Sequence, residues 1–72
     1  MNDRPVKRSV TLRGHRTSVT LEPLFWQALK DIARERGLAV NALAAEIDSQ
    51  RDLETGLATA LRVYILDWYR SR

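Results

Sequence analysis

Arg16, Ser18 and Thr20 alternate with apolar or neutral residues in the run Arg16-Thr17-Ser18-Val19-Thr20-Leu21. A strand sends successive side chains to opposite faces, so these three share one face if the run is extended. That face would carry a guanidinium with five donors and two hydroxyls that donate or accept. Its chemistry is hydrogen bonding to an anionic or polar partner. By spacing alone, the same pattern also describes an ordinary solvated strand face.

Other groups capable of chemistry are sparse. Glu46, Asp48, Asp52 and Glu54 cluster in sequence, but no nucleophile, base or glycine cradle accompanies them. They read as a solvated face rather than an acid–base pair. The chain has no cysteine and one histidine, which excludes thiolate and polyhistidine metal sites within one chain. His15 reads as a loop residue. Trp26 and Trp68 could stack on bases, but Trp68 lies on an apolar helical stripe and reads as core. Trp26, beside Phe25, is expected to be part-buried. No enzymatic activity, cofactor or metal is expected.

The charge is unevenly placed. The net charge of the chain is +3. Residues 1–16 carry Arg4, Lys7, Arg8, Arg13 and Arg16 against Asp3, a net +4, and the remainder carries −1. A basic segment ahead of a neutral body suits an anionic polymer such as nucleic acid. No signal peptide is expected, because no apolar stretch follows the basic N-terminus. The most apolar stretch, 57–69, contains Arg62 and Asp67 and is too short to span a bilayer. A cytoplasmic protein with no membrane partner is expected.

The elements that must position these residues follow from periodicity. The tetrad SVTL occurs at Ser9–Leu12 and again at Ser18–Leu21, each alternating as a half-buried strand does. Then the period lengthens. Pro23 suits a first helical position, where its fixed φ is right and its missing N–H is not needed. Phe25, Leu29, Ile32 and Ala33 lie on one face of the helix it starts, and Gly37 ends that helix. A second helix from about 39–41 to Ser49 has the stripe Val40, Leu43, Ala44 and Ile47. A third, from about 56 to 70 with Thr55 as N-cap, has Leu57, Leu61, Tyr64, Ile65 and Trp68 on one stripe. Val63, Leu66 and Tyr69 widen its apolar surface. A helix apolar on most sides needs cover on most sides. In a chain of 72 residues without disulfides, a second protomer is the expected cover.

At this point the sequence resembles the ribbon-helix-helix family of small dimeric DNA-binding proteins. Arg16 to Leu21 matches its strand, Glu22 to Arg36 its first helix, and Gly37-Leu38-Ala39-Val40-Asn41 its glycine turn. RSVTLRGHRTSVTLEPLFW looks like a short subgroup with a GHRTS segment before the strand. The resemblance covers 16 to 47. It implies a mostly α fold with a short N-terminal strand paired between two protomers, plus an additional C-terminal helix. It also implies a homodimeric transcription regulator, a repressor, that binds double-stranded DNA with its intersubunit ribbon in the major groove. The alternative is an antitoxin or protein-binding adaptor on the same dimer fold. Antitoxins of the family carry a further C-terminal segment, and the end of this chain shortly after Tyr69 favours the regulator.

The resemblance assigns roles. Arg16, Ser18 and Thr20 are expected to contact bases. Val40 and Asn41, at the start of the second helix, are expected to hold a phosphate, assisted by Arg13, Lys7 and Arg8. Val19, Leu21, Leu43, Ile47, Leu61, Ile65 and Trp68 are expected in the dimer core. Ala39 stands where the family usually has a capping Ser or Thr, a change worth about 1 kcal/mol, and the backbone N–H groups remain. The expected partners are duplex DNA and a second copy, with higher order on DNA and a protein partner left open. Residues 1–15 are expected as a basic arm and 16–72 as the domain. The first tetrad could fold back as a strand over 9–12; an extended arm that orders on DNA or on the partner is preferred.

Overall fold

The two SVTL tetrads lie side by side as the strands of one hairpin. In the computed structural model, which describes residues 3–72, the order is β1 (Val6–Leu12), β2 (His15–Leu21), α1 (Pro23–Glu35), α2 (Val40–Gln50) and α3 (Leu57–Arg70). The strands pair antiparallel with Val6 opposite Leu21, Ser9 opposite Ser18 and Leu12 opposite His15. Arg13 and Gly14 make the two-residue turn with φ of 53° and 85°. Positive φ at both positions is the turn whose twist matches that of paired strands.

This corrects the expectation for the N-terminus. Ser9–Leu12 belongs to a strand rather than an extended arm, and β1 of the same chain pairs with β2 along one of its edges. The boundary expected at residue 15 falls inside the hairpin, and Met1 and Asn2 lie outside the described residues. The physical reason is in the alternation. Val10 and Val19, 1 % and 5 % exposed, face the helices together with Leu21. An extended arm would leave Val10 in water.

The helices obey their punctuation. Pro23 opens α1, and the Glu22 carbonyl accepts the Trp26 N–H at 3.0 Å. At its end, Leu38 N–H reaches the Ala33 carbonyl at 2.8 Å and Gly37 N–H the Arg34 carbonyl at 3.1 Å. With Gly37 at φ 70°, this is the six-to-one closure that a left-handed glycine permits. Helix α3 begins one residue later than expected, with Gly56 rather than Thr55 at its N-cap.

One core joins all five elements. Leu29, Ile32 and Ala33 of α1, Leu43, Ala44 and Ile47 of α2, and Leu61 and Ile65 of α3 are buried against Val10, Val19 and Leu21. Thus Val19, Leu21, Leu43, Ile47, Leu61 and Ile65, expected in a dimer core, are buried inside one chain. Trp68 packs against that core, half-buried and stacked on Tyr64 at 6.3 Å between ring centroids. The hairpin covers part of the helical surface for which a second protomer was the expected cover. What it leaves uncovered on α3 is Val63, Leu66 and Tyr69.

Candidate nucleic-acid interface

The hairpin has two unlike faces. Register places Lys7 opposite Thr20, Ser9 opposite Ser18 and Thr11 opposite Arg16. These six residues point away from the helices, and all are exposed. The expected base-contact residues Arg16, Ser18 and Thr20 therefore form one half of a larger polar face, and β1 supplies the other half. Sequence reasoning missed Ser9 and Thr11. Their signal was present: Lys7-Arg8-Ser9-Val10-Thr11-Leu12 and Arg16-Thr17-Ser18-Val19-Thr20-Leu21 match at every outward position apart from Lys for Arg.

The residues expected to hold phosphate divide. Lys7 is on the outward face and Arg13 is at the exposed tip of the turn. Arg8 is not with them. It faces inward, opposite Val19, with its guanidinium 5.4 Å from the centre of the Trp26 ring and its Nε buried without a hydrogen-bond partner. Its place in the strand alternation turns it toward the helices, and its stem and charge settle on the indole.

Val40 and Asn41 open α2, where Ala39 offers no side-chain cap. Asn41 Oδ1 accepts the backbone N–H of Thr11 at 3.2 Å. This bond joins the start of α2 to the edge of β1 and leaves the Asn41 amide N–H₂ available. The first N–H groups of a helix have no intrahelical acceptor, so α2 presents donors beside the polar ribbon. On the other edge, Arg62 Nη2 donates to the Thr20 carbonyl at 3.4 Å.

Neighbouring carboxylates are neutralised. Glu22 accepts from Arg62 at 2.9 Å, and Glu46 takes two bonds from Arg36, at 2.6 and 3.1 Å. Asp48 accepts from Arg51 at 2.7 Å. The Arg62 hydrogen bond holds the Glu22 carboxyl below its ordinary pKa, and that of Arg36 does the same for Glu46. The Arg36 guanidinium is correspondingly raised, by Glu46 first and then by Tyr64. Lys7, Arg13 and Arg16 take part in none of the ion pairs among the described residues. The positive field of the chain is therefore concentrated at the hairpin. Among the described residues no cluster of side chains could hold a metal ion.

Residues 5–69 match the family model described as a ribbon-helix-helix domain. The chain belongs to the ribbon-helix-helix family. No curated protein and no solved structure matches it. Ribbon-helix-helix domains are typically non-enzymatic, DNA-binding transcription regulators or antitoxins. In this ribbon-helix-helix chain the two helices after the strand stand as the family predicts, α3 is the additional C-terminal helix, and β1 is an additional strand. No helix among the described residues is long and apolar enough to cross a membrane.

Proposed function

We propose that this chain is a sequence-specific double-stranded DNA-binding transcription regulator whose hairpin lies in the major groove. One observation carries the reading. The outward face of the hairpin is polar at all six positions, carries Lys7 and Arg16, and is exposed. The major groove, about 12 Å wide, admits a two-stranded ribbon. Arg16 would pair with guanine through O6 and N7, Ser18 and Thr20 would donate or accept, and the Thr20 methyl would meet thymine. Val40 and Asn41 at the start of α2, with Arg13 at the hairpin tip, would fix the register on flanking phosphates. Such a role places the protein in the cytoplasm.

Selection of bound duplexes from a random pool tests this directly, followed by affinity measurements over a range of salt. A defined consensus and a steep loss of affinity with salt are expected. No enrichment and no salt dependence would remove the reading.

A second reading, homodimerisation or a protein-binding adaptor role, draws on a different observation. Leu24, Val63 and Leu66 are 70 %, 61 % and 58 % exposed. Leu24 and Tyr69 line the same shallow cavity between α1 and α3. Sedimentation measurements across protein concentration distinguish a self-associating chain from one that waits for another protein.

A further inference from the structure

Between the tip of the hairpin and the helices lies a cavity of about 360 Å³. Its origin is in the strand alternation. Val10, Val19 and Leu21 of the inward face are buried, but toward the tip Leu12 is only part-buried, and His15 and Thr17 are exposed. The inward face thus runs past the helices that cover its base. Ala45 on α2 has only a methyl group to offer the gap, and Leu57, the first residue of α3, lines it as well. Small-molecule sites span about 300–1,000 Å³, so this one suits a compact ligand.

The polar groups around this space are mostly donors. Arg51 is held in place, with Nε donating to Asp48 at 2.7 Å and Nη1 to the Thr55 carbonyl at 2.7 Å. Its Nη2 makes no hydrogen bond among the described residues. Arg13 lines the cavity from the tip and belongs to none of the ion pairs. Thr17 and Ser18 add hydroxyls. Asp48 is the one carboxylate among the lining residues, and Arg51 neutralises it. Arg13 and Arg51 against Asp48 leave a net charge of +1, counting His15 as neutral. A monoanion balances that charge, whereas a dianion would set its second charge against Asp48.

We propose that this cavity binds a small monocarboxylate with a compact apolar body, and that its occupancy weakens DNA binding. The carboxylate is taken by Arg51, a donor already fixed in position, with a planar guanidinium suited to carboxylate oxygens. The apolar body is buried against Leu12, Ala45 and Leu57. The coupling, unlike the site, rests on the DNA-binding reading above. Arg13 is shared, since it lines the cavity and stands at the tip assigned to a flanking phosphate. An arginine drawn to the ligand is withdrawn from DNA. By linkage, ligand and DNA then weaken each other by the same factor.

Benzoate is the probe, with benzamide as its neutral analogue and inorganic phosphate as a plain anion. Each is titrated into the full chain and followed by amide chemical shifts in nuclear magnetic resonance. Benzoate alone should give a saturable shift at Leu12, Thr17, Ala45 and Leu57. Ala45→Leu fills the space and should abolish it. Arg51→Lys keeps the charge without the fork and should weaken benzoate about 10-fold. Arg13→Asn should weaken it by no more than about 5-fold, as for an exposed ion pair. The same variant should remove the effect of benzoate on affinity for the duplex found by selection. No saturable shift, an equal response to benzamide, or tighter binding of phosphate overturns the site. So does a change in sedimentation on Ala45→Leu, which would place a second copy in the cavity. Benzoate binding with DNA affinity unchanged overturns the coupling alone. A parent chain that binds benzoate but no duplex sinks the DNA reading and leaves the site standing.

Discussion

Arg36 grips Glu46 with both terminal nitrogens, at 2.6 and 3.1 Å, and its Nη1 also donates to the Tyr64 hydroxyl at 3.0 Å. The residue just past α1 is thereby tied to α2 and α3 at once. Arg62 makes a comparable tie between α3 and Glu22 at the head of α1. These two carboxylates knit the helices that carry the ribbon.

Acid should loosen this arrangement. Glu22 and Glu46 have folded pKa values lowered below the ordinary 4.5 by their arginine hydrogen bonds. A depressed folded pKa adds stability that is fully present above the unfolded value and is lost as pH falls through the folded one. The melting temperature should therefore be nearly flat with respect to these groups from pH 8 to about pH 5 and drop below about pH 4.5. Glu22→Gln/Glu46→Gln should have a lower plateau and a shallower acid limb. Calorimetry over a pH series checks this. An unchanged acid limb would mean that other carboxylates govern it.

The turn is a second testable point. Gly14 has φ 85°, and a Cβ built on it would meet nothing within 4 Å. Conformation alone, not space, demands glycine there. Gly14→Ala should cost about 1–2 kcal/mol in denaturant unfolding. Arg13, at φ 53°, already bears part of that cost. Arg13→Asn creates the Asn-Gly pair preferred by this turn and should raise the melting temperature. If Arg13 also touches a phosphate, the same variant should reduce the salt slope of DNA binding by about one. Stability and affinity would then move in opposite directions.

The helices were legible because their signals are local. Pro23, Gly37 and the stripe of Leu29, Ile32 and Ala33 act within a turn or two of themselves. The outward positions of Arg16, Ser18 and Thr20 were legible for the same reason, since alternation is a two-residue rule. The role of β1 was not, because Gly14-His15 is a weak turn signal and the turn depends on Arg13 adopting positive φ. Arg8 was misplaced because net charge says nothing about which strand face a cation occupies. The burial of Val19, Leu21, Leu43, Ile47, Leu61 and Ile65 within one chain was not legible, because α3 was counted against two helices alone and the hairpin was left out.

Arg8 and Lys7 are adjacent in sequence and opposite in fate, which makes them a controlled comparison. Lys7→Ala should lower the salt slope of DNA binding by about one charge. Arg8→Met keeps the apolar stem over Trp26 and removes a buried Nε that has no partner. The lost cation–π attraction, about 0.5–2 kcal/mol, is offset by relief of the unsatisfied group, about 1–3 kcal/mol. Stability should change little, and the salt slope should stay at the parent value. A slope lowered in Arg8→Met would put that guanidinium on DNA after all.

Leu61 and Leu66 sit on the same helix with opposite surroundings, 0 % and 58 % exposed. Leu61→Ala opens a cavity in a core that one chain completes by itself and should cost about 2–5 kcal/mol. In a domain of this size each 1 kcal/mol lowers the melting temperature by roughly 4–8 °C, so the effect is large. It should also be the same at low and high protein concentration, because the cavity lies within the protomer. An intersubunit site behaves differently, since its stability follows protomer concentration by mass action. Leu66→Ala should shift stability by no more than about 0.5 kcal/mol in an isolated chain. Melting curves of both variants at several concentrations separate the cases. A Leu61→Ala penalty that fades on dilution would return that leucine to a dimer interface. A substantial, concentration-dependent loss in Leu66→Ala would place a second copy on the outer face of α3, away from the ribbon.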